Sequence, residues 1–167
     1  MTKEFLYSPW RMAYIQGEKP GDCVLCRHRD GSADDQNLIV HRGEHCYVML
    51  NRYPYNNGHI MLVPYLHLSA LADLPAEVLA ELGKLTQLSE LVLKEVYRCE
   101  GINLGLNLGK AAGAGIDEHL HVHLVPRWIG DCNFMSAVGG QRVIPEAFET
   151  SLARLRQGFA NLLRGKE

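Results

Sequence analysis

Residues 119–125 read His-Leu-His-Val-His-Leu-Val, and this alternation constrains the fold more than any other part of the chain. Side chains two residues apart lie on the same face of a β-strand. The pattern therefore predicts a strand with an imidazole face, on which neighbouring histidines stand about 6.6 Å apart, and an aliphatic face. Burial of the aliphatic face would fix the register of the strand and with it the positions of the three imidazoles.

The composition is that of an ordinary globular domain. The chain has 167 residues, of which 47% are apolar, so it is long enough and apolar enough to bury a core. Its formal net charge is −2, and the sequence pI is about 6.4. A chain with this charge lacks the global basic field that duplex nucleic acid would require, so we expect no nucleic-acid partner.

The sequence carries no pattern typical of secretion or membrane insertion. Residues 1–10 lack a signal-peptide core, and no apolar run approaches the ~20 residues that span a bilayer. We therefore expect a cytoplasmic protein without a membrane partner. Its five cysteines are an odd number in a chain of this size, which favours thiols or metal ligands over disulfides.

The apolar pattern predicts five strands and two helices. We expect strands over residues 37–41, 45–51, 59–64, 102–108 and 118–126. Asp73 is the expected N-cap of a long helix with Pro75 in its first turn, a leucine-rich stripe along one side and Gly101 as its stop. A second helix is expected to begin at Pro145. The chain is thus predicted to be one α+β domain with a five-stranded, mainly antiparallel sheet, a long crossover helix and a C-terminal helix.

Aligned imidazoles favour chemistry at phosphorus. A histidine is close to neutral at physiological pH, so one imidazole can attack phosphorus while its neighbour protonates the leaving group. The small-residue loop 109–115 directly precedes the histidines, and its backbone N–H groups are free to cradle phosphate oxygens. This loop lacks the Gly-Lys-Ser/Thr ending of a P-loop. Its other interpretation is a flexible hairpin connection.

A metal site is the competing use of the histidine face. Cys23 and Cys26 form a Cys-x-x-Cys pair, which is half of a typical zinc site, although a redox pair is an alternative. His67 and His119 are the candidates for the other two ligands, which would leave His121 and His123 for catalysis. Three other histidines are each next to charged residues, and we expect them at the surface: His28, His41 and His45.

Residues 119–125 resemble the histidine triad motif, His-φ-His-φ-His-φ-φ, in which φ is apolar. The resemblance continues through residues 48–64, which are similar to the nucleoside-binding strands of that family, and through residues 103–115. It covers about residues 20–135. Asn107-Leu108-Gly109, together with the run from Arg127 to Phe134, is most similar to the diadenosine tetraphosphate phosphorylases and the fragile-histidine-triad branch. On this resemblance, residues 1–167 form a single histidine-triad-like domain with its core at 20–135 and a helical extension at 136–167.

The resemblance implies roles for individual residues. His121 would be the nucleophile that forms a nucleotidyl-histidine, His123 would assist departure of the leaving group, and His59 would be a further active-site histidine. Asn51 would bind the ribose hydroxyls, and Asn107 would lie near the phosphates. Related galactose-1-phosphate uridylyltransferases pair a Cys-x-x-Cys with two histidines around zinc, which corresponds here to a structural zinc on Cys23, Cys26, His67 and His119.

The phosphate loop departs from the family pattern at one point. Hydrolases of the family often carry Gln or Ser about four residues before the first histidine, whereas this chain has Ala114-Gly115-Ile116 there. Backbone N–H groups, including those of Gly113 and Gly115, would then make the phosphate contact.

The resulting hypothesis is an enzyme that cleaves dinucleoside polyphosphates, with phosphate or water as second acceptor. Hydrolysis of nucleoside phosphoramidates, a non-catalytic nucleotide-binding regulatory module and a zinc interaction module are the alternatives. The segment from Trp128 to Phe134 is a candidate wall of a second-nucleoside pocket, although core or dimer packing explains Trp128 equally well. The resemblance also implies a homodimer formed partly by the long helix and the fourth strand.

Overall fold

One antiparallel sheet forms the centre of the molecule. The computed structural model describes residues 23–30, 33–131 and 146–165. Its strands are β1 (Ile39–Arg42), β2 (Cys46–Leu50), β3 (Ile60–Pro64), β4 (Gly101–Leu106) and β5 (Val122–Arg127). They lie in the order β1-β2-β3-β5-β4, and each neighbouring pair is antiparallel. The predicted five-stranded α+β architecture is therefore confirmed.

Within the described residues, three α-helices accompany the sheet. They are α1 (Val24–Arg27), α2 (Ala76–Tyr97) and α3 (Phe148–Arg164). α2 is the predicted long crossover helix between β3 and β4, and α3 is the predicted C-terminal helix. None of the helices in the described part of the chain has both the length and the apolar content to cross a membrane.

The two faces of the sheet bury different clusters. Leu120, Val122 and Leu124 belong to the larger cluster, which α2 and α3 cover, so the aliphatic face of the histidine stretch is buried as predicted. The smaller cluster lies on the opposite face and comprises Leu25, Ile39, Tyr47, Met49, Met61 and Val63. Because side chains alternate along β5, His123 lies on the face of this smaller cluster.

The histidine stretch differs from the prediction at its start. β5 begins at Val122, so His119 and His121 precede the hydrogen-bonded ladder instead of lying within it. This segment is held by the Leu120 N–H, which donates to the Leu68 carbonyl at 2.7 Å. That bond joins the segment before β5 to the segment after β3.

Both predicted ends of the long helix are wrong. Asp73 lies in a separate 3₁₀ turn, Leu71–Asp73, and makes no side-chain capping bond to α2, which begins after Pro75. The helix ends at Arg98, whose φ of 49° is left-handed and whose N–H donates to the Lys94 carbonyl. Gly101 instead begins β4 opposite Arg127, because pairing with β5 already requires extended backbone there.

The predictions for residues 1–22 and 132–145 lie outside the described residues. They include the N-terminal segment, the start of the second helix at Pro145 and the part of the 128–134 segment that follows Asp131.

Candidate active site

A cavity of about 160 Å³ opens beside the histidine stretch. It lies at the sheet face that carries the smaller cluster, and its wall contains most of the residues that the sequence assigned to catalysis and nucleotide binding. These residues are Asn51, Asn107, Gly113, Gly115, His121 and His123. A side chain of His59 lies directly behind the cavity wall, in contact with His123. The fold thus brings together side chains that are up to 72 positions apart in the chain.

His121 is fixed in the tautomer that a nucleophile needs. Its Nδ1–H donates to the His119 carbonyl at 2.8 Å, which leaves the Nε2 lone pair unprotonated. The side chain is only 7% exposed, and burial lowers its pKa, opposed by the His119 carbonyl. His121 is therefore neutral at physiological pH and presents one nucleophilic nitrogen at the cavity.

A chain of hydrogen bonds orients His123. The Tyr55 backbone N–H donates to His59 Nδ1 at 3.0 Å, so the proton of neutral His59 is on Nε2. His59 Nε2 in turn lies 3.0 Å from His123 Nδ1, to which it donates. His123 consequently carries its own proton on Nε2. Its ring centroid lies 4.9 Å from that of His121, close enough for both to reach one phosphoryl group.

His59 is the most strongly perturbed of these histidines. Its side chain is completely buried. Burial, followed by the proximity of His123 and His121, lowers the pKa of His59 to about 3. The ring is therefore neutral throughout the physiological range and acts as a fixed dipole.

The turn before β3 carries both Asn51 and His59 to the cavity. Asn51 accepts the Tyr53 N–H on Oδ1 at 2.9 Å, which orients its amide group. Gly58 closes the turn at φ 70°, and a Cβ there would lie 2.5 Å from the ring of Tyr97 on α2. Only glycine fits this approach of turn to helix, and the helix thereby sets the position of the adjacent His59.

The loop before the histidines has the backbone of a small-ligand cradle. Gly109 and Gly113 have φ of 79° and 87°, and they flank a 3₁₀ turn over Lys110–Ala112. Residues with a side chain rarely adopt a positive backbone φ, which explains why both of these positions are glycine. Gly113 and Gly115 line the cavity beside His121. Contrary to the expectation, the Gly113 N–H donates to the Lys110 carbonyl at 2.9 Å, so the Gly115 N–H is the candidate donor to a phosphate at the nucleophile.

Cys23, Cys26, His67 and His119 converge in a second cluster. Their potential ligand atoms all lie within 4.8 Å of one another. His119 Nδ1 is 3.4 Å from Cys23 Sγ and 3.5 Å from Cys26 Sγ, and His67 Nδ1 is 3.1 Å from Cys26 Sγ. His119 Nε2–H donates to the Pro64 carbonyl at 2.9 Å, which turns the unprotonated Nδ1 toward the sulfurs.

This donor set fits a zinc ion. Zinc bonds of about 2.3 Å to sulfur and about 2.0 Å to nitrogen place tetrahedral S and N ligands about 3.5 Å apart, close to the observed separations. Burial, followed by the neighbouring Cys23 thiol, raises the pKa of Cys26 to about 11. A bound cation would therefore be needed to hold the Cys26 sulfur as a thiolate at neutral pH.

Two histidines that were expected at the surface are partly buried. His41 stacks on Phe159 of α3 with ring centroids 5.2 Å apart, and burial lowers its pKa. His28 lines the cavity, and its Nδ1 is buried without a hydrogen-bond partner among the described residues. Adjacent charges in the sequence were a poor guide because α1 and α3 fold against the sheet. The i,i+4 spacing of Val24 and His28 was the signal that could have linked His28 to the cavity.

Trp128 packs against the larger cluster, edge-on to Tyr97, with ring centroids 6.5 Å apart. It does not line the cavity, so core packing explains this residue better than a second-nucleoside pocket.

A broader cavity of about 630 Å³ lies between the 33–36 loop, β1 and α3. Its charged side chains are already paired, Arg42 with Asp34 and Arg156 with Asp35. It contains none of the three aligned histidines, and the smaller cavity is therefore the candidate active site.

Comparison with known proteins gives one consistent result. The HIT domain family matches residues 33–128. An AP-4-A phosphorylase of Mycobacterium tuberculosis is 45% identical over 154 residues, which cover 84% of this chain and 76% of that protein. A bis(5'-adenosyl)-triphosphatase of Saccharomyces cerevisiae is 29% identical over 91 residues, 54% of this chain and 44% of that protein. The crystal structure of a zinc-bound histidine triad family protein from Mycobacterium smegmatis superposes with a TM-score of 0.71 at 29% identity, and covers 86% of this chain and 97% of that one.

Proposed function

This chain belongs to the HIT domain family, and from that premise we propose that it is an enzyme that cleaves dinucleoside polyphosphates of the diadenosine tetraphosphate type. The observation that carries the proposal is the pairing at one cavity of a neutral nucleophile, His121, with a neighbour, His123, that carries its proton on Nε2. The names of the two relatives support the substrate class. The relative with the higher identity is a phosphorylase, which favours phosphate over water as second acceptor.

The proposed first step is displacement at the α-phosphorus. The Nε2 lone pair of His121 forms a P–N bond to the nucleotidyl group, and the bond from that phosphorus to the bridging oxygen breaks. The nucleoside triphosphate departs as an anion, and its newly formed terminal oxygen accepts a hydrogen bond from His123 Nε2–H, which keeps its proton. The products of this step are a nucleotidyl-histidine and ATP.

The second step returns the enzyme to its starting state. An oxygen of inorganic phosphate attacks the nucleotidyl phosphorus, forms a P–O bond and breaks the P–N bond to His121. The attacking phosphate oxygen is unprotonated, so His123 keeps its Nε2–H, and His121 leaves as the neutral imidazole that it was before the reaction. With water as the acceptor, one proton would pass to the solvent. With phosphate the product is ADP, and with water it would be AMP.

Surrounding groups orient the substrate in this proposal. The Gly115 N–H binds a phosphoryl oxygen, Gly113 shapes the loop through its left-handed backbone, and Asn107 is a polar contact to the same phosphoryl group. Asn51 binds the ribose hydroxyls through Nδ2 and the remaining lone pair of Oδ1. His59 holds His123 in the donor tautomer and does not itself contact the substrate.

We also propose that Cys23, Cys26, His67 and His119 hold a structural zinc ion. When bound, the ion would supply a rigid tetrahedral cross-link and no catalytic Lewis acidity, because all four of its positions are taken by protein ligands. The ligands come from three separate segments of the chain, which the ion would tie together.

The proposed assembly is a homodimer of single-domain chains. In each chain, residues 20–135 would form the core, and the helical extension 136–167 would complete it, since Leu152, Leu155 and Phe159 of α3 share the larger cluster with the sheet. β4 is an edge strand, and its Leu104 is 58% exposed. Such an apolar edge favours pairing with a second copy.

The experiment is incubation with diadenosine tetraphosphate, with and without inorganic phosphate. We expect ADP and ATP only when phosphate is present, whereas AMP and ATP in its absence would identify a hydrolase. His121→Ala should lower turnover by more than about 10³-fold, because the nucleophile is removed. His45→Ala is the matched control, since its imidazole is partly exposed beside Glu44 and does not line the cavity.

Further outcomes separate the alternatives. Unchanged turnover in His121→Ala would contradict the nucleotidyl-histidine. Nucleotide binding without cleavage in the unmodified protein would indicate a regulatory module. Faster cleavage of an adenylylated amine than of diadenosine tetraphosphate would indicate a phosphoramidate hydrolase.

A further inference from the structure

Part of the cavity wall is apolar, which suits the faces of a nucleobase. It consists of the exposed side of the smaller cluster with two flanking side chains, and the residues that reach the cavity are Val24, Leu25, Met49, Met61 and Ile116. A wall of this kind binds a base through contact area but does little to distinguish one base from another. Discrimination between bases requires a hydrogen-bonding group placed within it.

His28 is such a group. It follows α1 directly and lies one helical turn beyond Val24, so both side chains project toward the same side and both line the cavity. Its Nδ1 is buried and has no partner among the described residues, so a proton there would be a donor that no acceptor pairs. The proton of the neutral ring therefore belongs on Nε2, the nitrogen that a ligand can reach.

The backbone of His28 is held in place from the sheet. Its carbonyl accepts a hydrogen bond from Arg42 Nη2 at 2.8 Å, and the Arg29 carbonyl accepts one from Arg42 Nη1 at 3.0 Å. Arg42 is itself fixed by Asp34, with its Nη2 2.7 Å from one carboxylate oxygen. A side chain on such an anchored turn is preorganised for recognition, because little conformational freedom is lost when a ligand binds.

We propose that His28 recognises the base of the bound nucleotide by donating its Nε2–H to a ring nitrogen of adenine. This inference rests on the proposed nucleotide substrate and adds the specificity-determining residue. Adenine has three unprotonated ring nitrogens on its edges and no ring N–H, so a donor matches it. The apolar residues supply the faces for the base, and His28 supplies the single directed contact.

The test is titration calorimetry with AMP and its 1-deaza, 3-deaza and 7-deaza analogues, in each of which one ring nitrogen is replaced by C–H. We expect one analogue to bind the unmodified protein about 5- to 10-fold more weakly than AMP, the loss of one hydrogen bond. His28→Leu should bind AMP more weakly by a similar factor and should bind that analogue as well as AMP. His45→Leu, whose imidazole lies outside the cavity, is the matched control and should behave as the unmodified protein does.

A second variant distinguishes loss of the hydrogen bond from a folding defect at α1. His28→Gln keeps an N–H donor and should bind AMP more tightly than His28→Leu, with the preference for AMP over the same analogue retained. Equal AMP affinity in all variants, or the same analogue penalty in His28→Leu as in the unmodified protein, would overturn the role of His28. Because the readout is binding, failure of diadenosine tetraphosphate cleavage would contradict the proposed reaction without deciding the role of His28.

Discussion

The chemistry of single residues here depends on which ring nitrogen of each histidine carries the proton. His119 donates from Nε2 to a carbonyl and directs Nδ1 at two sulfurs. His121, two positions later, donates from Nδ1 to the His119 carbonyl and keeps Nε2 unprotonated. His123 accepts a hydrogen bond from His59 Nε2–H on Nδ1 and carries its own proton on Nε2. The middle histidine of the motif thus has the opposite tautomer to the two that flank it, and each tautomer is fixed by a backbone or side-chain partner.

Burial of His59 predicts a specific acid sensitivity. Its pKa is about 3 in the folded protein against an ordinary value of 6.5, so below about pH 6.5 the unfolded chain binds a proton that the folded chain does not. The stability that this residue contributes is complete above pH 6.5 and is lost as the pH falls toward 3, by about 1.4 kcal/mol per pH unit. Urea denaturation at intervals from about pH 7 to about pH 5 measures the slope.

His59→Gln should reduce the dependence of the unfolding free energy on pH by about 1 kcal/mol per pH unit, because glutamine does not titrate. His45→Gln, which replaces an imidazole outside the cavity by the same amide, is the matched control. Parallel slopes for His59→Gln and the unmodified protein would show that His59 is not the group responsible.

At the scale of elements, the Cys-x-x-Cys turn serves two sites. α1 begins after Cys23 and includes Cys26, and the same four residues place Val24 and Leu25 against the cavity. The other two candidate ligands lie in the segments after β3 and before β5, which the Leu120–Leu68 backbone bond holds together. A zinc ion would therefore cross-link α1 to the segment that carries the nucleophile.

Removal of zinc should lower stability markedly. If the ion contributes at least about 3 kcal/mol, a chelator should lower Tm by roughly 10 °C, because 1 kcal/mol corresponds to about 2–4 °C in a protein of this size. Differential scanning fluorimetry with and without chelator, alongside metal analysis of the purified protein, measures this change.

Variants identify the ligands by the same measurement. Cys26→Ser should have a lowered Tm that a chelator no longer changes. Cys99→Ser is the control, because Cys99 is a free cysteine outside the cluster, and it should keep the full chelator-induced shift. The four-ligand assignment would be contradicted if the purified protein contained no zinc, or if the chelator did not change the Tm of the unmodified protein.

At the scale of the whole molecule, the faces and the edges of the sheet differ in how far other elements cover them. α2 and α3 cover one face, and α1 packs against the other. In the part of the chain that the structure describes, no strand pairs with the outer edge of β4. Leu104 is 58% exposed on the helix-covered face, although Ile102 and Leu106 on the same face pack against the larger cluster. α2 adds Leu79 and Leu91, each nearly half exposed. Exposed strand edges with apolar side chains are unusual in monomers and favour association.

Leu104→Glu should convert the proposed homodimer to a monomer. A buried charge at the interface without a partner costs more than a small interface gains. Size-exclusion chromatography with light scattering should give twice the 18.7 kDa chain mass for the unmodified protein and the single chain mass for the variant. Leu163→Glu, at an exposed leucine near the end of α3, should remain dimeric. A monomeric unmodified protein would contradict the assembly.

Short-range periodicity was enough to predict which elements form and which of their faces are buried. The alternation in residues 119–125 was sufficient to predict that Leu120, Val122 and Leu124 are buried and that the imidazoles lie on the opposite side. Residues two positions apart share one face of a strand. The leucine stripe determined α2 for the same reason, at the helical period. The strands were likewise predictable in number and order along the chain, although their ends were not.

Proton positions, the burial of single side chains and the ends of elements depend on partners that are distant in sequence, so folding alone sets them. The proton position of His123 is set by His59, 64 positions earlier, and the burial of His41 is set by Phe159. His28 was expected at the surface and instead lines the cavity, because α1 folds against the sheet. Arg98 ends α2 where Gly101 was expected, because Gly101 is needed in the ladder with β5. Periodicity within a segment reports which face is buried, but hydrogen-bond partners and desolvation come from residues that only folding brings together.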